Sequence, residues 1–107
     1  DLFDCVWPTR LARHGKVFTA AGDYSIKRAE FAEDDRPLEE GCDCLACSRY
    51  SRASLRHLKR TGELSAQRLL SIHNLRYTMR LMSDVRDAIA RDQFEEFRAE
   101  RADRRSA

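Results

Sequence analysis

From Ser65 to Arg91 the apolar residues Leu69, Ile72, Leu75, Met79, Met82, Val85 and Ile89 recur at steps of three and four. That spacing lays one stripe along a helix of 3.6 residues per turn. A long amphipathic helix is predicted, with both methionines filling core and His73 beside the stripe. Gln93 to Arg101 reads as a short further helix with Phe94 and Phe97 turned inward, and the charged tail from Ala102 is expected to fray. Ser48 to Arg60 reads as another helix, stopped at Thr61-Gly62, where glycine accepts the left-handed conformation. The first third of the chain lacks a helical period. Asp1 to Val6 is mostly apolar and reads as a buried strand, stopped by Pro8, which has no N–H for a ladder. Thr9 to Gly15 reads as a basic loop. Lys16 to Thr19 and Tyr24 to Lys27 read as two short strands around the turn Ala20-Ala21-Gly22-Asp23. Glu30 to Gly41 reads as acidic and irregular.

The size sharpens this picture. A chain of 107 residues makes one small domain or a piece of a larger one, and buries only about 60–65% of its unfolded surface. A metal staple is a plausible supplement to so small a core. No apolar run approaches the roughly 20 residues that span a bilayer, and the first residues carry acids rather than a basic leader. Neither a membrane nor a secretory route is expected. The chain opens on Asp1 rather than methionine and reads as a piece of something longer.

Net charge is only +2, but 20 basic residues include just three lysines, Lys16, Lys27 and Lys59. Arginine supplies a planar fork suited to phosphates and base edges. Arg49, Arg52, Arg56 and Lys59 share one face of the predicted basic helix. That face can track phosphates, or it can pair with the acidic stretch from Glu30 to Asp43.

Cys42, Cys44 and Cys47 place three thiols within six positions. Packed so closely they would repel one another as thiolates without a cation, whereas Zn2+ favours the deprotonated form. Three cysteines and one histidine make a closed tetrahedral structural site with no position for substrate. The fourth ligand is His57 or His73. His73 is the better candidate because it ties the knuckle to a second helical element. The clustering disfavours a spread disulfide framework, so a reducing cytoplasm is expected. Cys5 reads as a small buried residue.

Chemistry must then lie elsewhere. Asp4 stands near the end of the predicted strand, followed by Thr9, Arg10 and Arg13. A carboxylate so placed can trap an oxocarbenium-like sugar at its anomeric carbon, although acids at strand ends more often cap or pair.

Taken together, DLFDCVWPTR at Asp1 to Arg10, CDCLAC at Cys42 to Cys47, SRYSRASLRHL at Ser48 to Leu58, Ile72-His73-Asn74-Leu75, and FEEFR at Phe94 to Arg98 closely resemble the tRNA-guanine transglycosylases, or queuine tRNA-ribosyltransferases. The resemblance runs through nearly the whole chain, in order, and matches the C-terminal part of a bacterial-type member. It implies an α+β piece of a (β/α)8 TIM-barrel enzyme with an inserted zinc subdomain. Residues 1–15 would be the last barrel strand with the nucleophile and RNA-recognition loop. Residues 16–64 would be the zinc-binding subdomain, and residues 65–107 the long C-terminal helix, short helix and tail. Asp4 matches the family nucleophile, which attacks C1′ of the wobble nucleotide, releases guanine and holds the tRNA covalently until a 7-deazaguanine (preQ1 or queuine) displaces it. Thr9, Arg10, Leu11, Ala12 and Arg13 match the segment that recognises bases of the anticodon loop. Cys42, Cys44, Cys47 and His73 match the ligands of one structural Zn2+. A homodimer is implied as well. Trp7 departs from the smaller aliphatic residue of the family. A full barrel needs about 250 residues, so the isolated piece is expected to be inactive. The competing expectation is a non-catalytic zinc-binding module for RNA interaction or dimerisation.

Overall fold

The computed structural model describes residues 4–106. Its elements are α1 (Trp7–Arg13), β1 (Lys16–Val17), β2 (Tyr24–Ser25), a 3₁₀ turn (Ala29–Phe31), α2 (Leu45–Arg49), α3 (Arg52–Arg60), α4 (Leu64–Ala90) and α5 (Phe94–Ser106). The architecture is helix-rich α+β. Among the described residues, a two-stranded antiparallel hairpin pairs Lys16 with Ser25 and Val17 with Tyr24. The hairpin and α4 appear where the sequence predicts them.

Four elements differ from the sequence reading. Thr9 to Arg13 is helical rather than a loop, because Pro8 sits at the helix start. There its missing N–H is no loss and its fixed φ is pre-set. Of the predicted strand, Asp1, Leu2 and Phe3 lie outside the described residues, while Asp4, Cys5 and Val6 have no ladder partner among them. The predicted single helix over 48–60 is two helices. Ser51 breaks it by accepting from Ser54 N–H at 3.1 Å in a reciprocal cap. The orphan N–H groups of Arg52 and Ala53 then donate to the carbonyls of Arg36 and Asp34, as helix starts require. The tail is not frayed: α5 runs to Ser106. Arg105 ties it down, donating to Thr19 O at 2.7 Å, Tyr77 Oη at 3.0 Å and Asp23 Oδ1 at 2.7 Å.

The core gathers Ala12, Val17, Ile26, Leu38, Cys44, Ala46, Leu55, Leu69 and Leu70. Helix α4 is its backbone, but the buried face differs from the predicted stripe. The buried residues are Ala66, Leu69, Leu70, His73, Asn74, Tyr77 and Ala88. Leu75, Met79 and Ile89 are 46%, 60% and 59% exposed, so Met79 is not core filling. The reason is local crowding: α1, α2 and the hairpin approach on the side of the polar pair His73–Asn74, which finds its partners there. Cys5 is exposed rather than buried. Between α4 and α5, Leu81, Val85, Phe94 and Phe97 line a cleft of about 420 Å³ that contains none of the expected site residues.

Candidate functional site

Cys42, Cys44, Cys47 and His73 converge, their ligand atoms all within 4.8 Å of one another. The knuckle forms because Cys44 caps α2. Its sulfur accepts from Cys47 N–H at 3.3 Å, which turns the chain so that both sulfurs face inward. His73 projects from the buried face of α4, with Nδ1 at 3.5, 3.5 and 3.4 Å from the sulfurs of Cys42, Cys44 and Cys47. Bond lengths of about 2.3 Å to sulfur and 2.0 Å to nitrogen imply a tetrahedral edge of about 3.6 Å. The four atoms therefore fit around one ion of that size.

The far side of the ring supports this arrangement. His73 Nε2 lies 2.7 Å from the Phe18 carbonyl. A carbonyl only accepts, so Nε2 carries the proton and Nδ1 presents its lone pair to the sulfurs. Glu39 lies nearby, its Oε1 4.0 Å from Nε2 while Oε2 accepts from Ala20 N–H at 2.8 Å. Among the thiols, the hydrogen bond from Cys47 holds Cys44 well below its ordinary pKa, and the same bond pushes Cys47 up. Burial raises Cys42. Three thiolates so close repel one another, whereas a dication lets all three sulfurs ionise. His57 is exposed on α3 and takes no part.

The basic helix face is largely committed to holding the fold. Arg52 is mostly buried: it contacts Asp34 at 3.2 Å, donates to Pro37 O at 2.9 Å and lies over the rings of Tyr24 and Phe31. Arg56 donates to Arg28 O, and Lys59 to Arg13 O. The pairing with the acidic stretch is realised at Arg52–Asp34, while Arg49 stays exposed.

Asp4 lies three residues before α1 and is exposed. On α1, Thr9, Arg10 and Arg13 are exposed, Leu11 is half-buried, and Ala12 is fully buried against the core. The two arginines therefore project from a helix whose opposite side is packed.

Along its entire length, residues 1–107, the chain matches the family described as Queuine tRNA-ribosyltransferase. The chain belongs to that family. The queuine tRNA-ribosyltransferase of Symbiobacterium thermophilum is 53% identical over 98 residues, covering 92% of this chain and 24% of the relative. That of Chromobacterium violaceum is 52% identical over 106 residues, covering 99% and 29%. That of Methylibium petroleiphilum is 52% identical over 105 residues, covering 97% and 28%. The chain thus spans about a quarter of the length of the ribosyltransferases it matches.

One site residue escaped the sequence reading. Asn74, beside His73, is fully buried and makes three hydrogen bonds to the N-terminal segments. The signal was present: a polar residue next to the apolar stripe of a helix, where an unpaired amide is costly.

Proposed function

We propose that this chain is the C-terminal, zinc-bearing part of a tRNA-guanine transglycosylase. The observation that carries this reading is the match to proteins named queuine tRNA-ribosyltransferase across nearly the whole chain. The whole enzyme exchanges the wobble guanine of tRNA for a 7-deazaguanine, preQ1 or queuine, in the cytoplasm. An Asp4 carboxylate oxygen bonds to ribose C1′ as the bond from C1′ to guanine N9 breaks. Guanine leaves with the electron pair and takes up a proton. The incoming base then bonds to C1′ through its ring nitrogen and gives up a proton, and the carboxylate is released. Division into two displacements is ordinary covalent catalysis. Arg10 and Arg13 project from α1 close after Asp4 in sequence, and guanidinium forks suit unstacked anticodon bases. With Thr9, Leu11 and Ala12 they form the recognition segment, to which buried Ala12 contributes by packing.

Zinc is the ion the four ligands suit, since sulfur and imidazole donors in a closed tetrahedron are its structural set. It supplies folding energy and no reaction step. Residues 1–15 belong to the last barrel strand and the recognition segment, 16–64 to the zinc subdomain, and 65–107 to the C-terminal helices. The exposed apolar residues Val6, Trp7, Leu75 and Met79 suit burial against the remaining barrel or a second copy. The isolated 107 residues are inactive on this reading, because the rest of the barrel's strand ends lies outside them.

The test is denaturant-stable attachment of substrate tRNA to the full-length protein. Asp4→Asn should abolish both the adduct and base exchange. Full exchange by Asp4→Asn would overturn the assignment.

A further inference from the structure

Two neighbouring residues of α4 grip one peptide segment from two sides. His73 Nε2 donates to Phe18 O at 2.7 Å, and Asn74 Oδ1 accepts from Phe18 N–H at 3.0 Å. The Asn74 amide nitrogen spends both its protons on other main-chain groups, Pro8 O at 3.1 Å and Lys16 O at 3.0 Å. Pro8 lies in the first turn of α1, and Lys16 opens β1. Asn74 is 0% exposed, so its amide has no water to replace a lost partner, and an unmade bond is expensive. A second pin closes the other end of the helix: Lys59 Nζ donates to the carbonyl of Arg13. Helix α1 has seven residues, too few to hold an orientation by its own hydrogen bonds. Its direction is set by these pins and by Ala12, which is fully buried.

We infer that Asn74 is a positioning residue for tRNA recognition, orienting α1, and with it Arg10 and Arg13, relative to the metal-bound helix. The inference rests on the reading of α1 as the recognition segment. Asn74 is fully buried and is not one of the four clustered ligand residues. It acts through the main chain at Pro8 and Lys16, tying the starts of α1 and β1 to α4.

Asn74→Asp keeps the volume and the bond from Phe18 N–H but turns both donated bonds into contacts between oxygens. In the full-length protein this variant should retain one metal ion per chain and leave KM for the free base unchanged. It should raise KM for tRNA roughly tenfold, the scale of a lost orientation of about an ångström or less. Made in an Arg10→Ala, Arg13→Ala background, the same change should cost under about twofold, because coupled residues are not additive. Lys59→Met should act in the same direction. Equal effects in both backgrounds, a parallel rise in KM for the free base, or an unchanged KM for tRNA would overturn the proposal. Where Asn74→Asp loses its metal, Asn74→Ser, smaller and uncharged, is taken through the same measurements; loss of metal in both variants also overturns it. If the Arg10→Ala, Arg13→Ala protein itself leaves tRNA binding intact, the reading of α1 falls and this inference with it. If that double variant weakens binding and the Asn74 variants do not, the inference fails alone.

Discussion

His73 does two things with one ring. Nδ1 faces three sulfurs and Nε2 is fixed by Phe18 O, so removing the ring opens the metal site and unties the hairpin together. Structural zinc in small peptides is worth roughly 10–16 kcal/mol of folding. His73→Ala should therefore release the ion and lower the melting temperature as far as a strong chelator lowers that of the parent. His57→Ala should leave one metal per chain, as measured by elemental analysis. Asp34 gives a separate prediction. Its hydrogen bond from Arg36, with help from Arg52, holds its carboxyl below the usual range. A group whose folded pKa is depressed stabilises the fold above its unfolded pKa, about 3.9, and that contribution disappears as pH falls through the folded value. Asp34→Asn should be less stable than the parent at pH 7, and the gap in denaturant midpoint should close as pH falls below about 4. A gap that is constant with pH would refute the role. Comparing the two proteins removes the acid release of metal, which both share.

Elements here are held by partners distant in sequence. Helix α5 is mostly polar; besides Phe94 and Phe97 it is fastened by Arg105 and by Arg101, which lies over the Tyr77 ring of α4. Arg105→Ala should raise amide exchange in α5 and around Thr19 by roughly tenfold while leaving α3 protected, a change of about 1.4 kcal/mol in local opening. Exchange rising uniformly across the chain would mean that α5 is integral to the global fold. The boundary between α2 and α3 shows how capping decides an element. The run from Ser48 to Arg60 has helical spacing throughout, yet Ser51 and Ser54 satisfy each other's backbone and side-chain groups. The helix therefore restarts there. Pro8 follows a related rule: the same ring that ends a strand also begins a helix, and its neighbours decide which.

At the scale of the molecule, the apolar residues left outside the core are as informative as those within it. Trp7 is 62% exposed and Met79 60%, and the chain covers about a quarter of its relatives' length. In isolation the piece should self-associate or bind a hydrophobic dye. Met79→Glu should reduce either behaviour without shifting the metal content, and light scattering with elemental analysis checks both. Dye binding unchanged by Met79→Glu would place the sticky surface elsewhere.

By itself the sequence determined what depends on near neighbours. The period of α4, the Gly62 stop, the hairpin turn and the three-sulfur knuckle are all written within a few residues, as are the stretches that resemble the family. The tertiary structure decided what depends on distant ones: which side of α4 is buried, which histidine meets the sulfurs, and that α1 is a helix pinned by Asn74. Those choices turn on contacts between residues 26 to 66 positions apart, where local spacing carries little information. A polar side chain such as Asn74 can be buried only because the folded chain brings its partners to it.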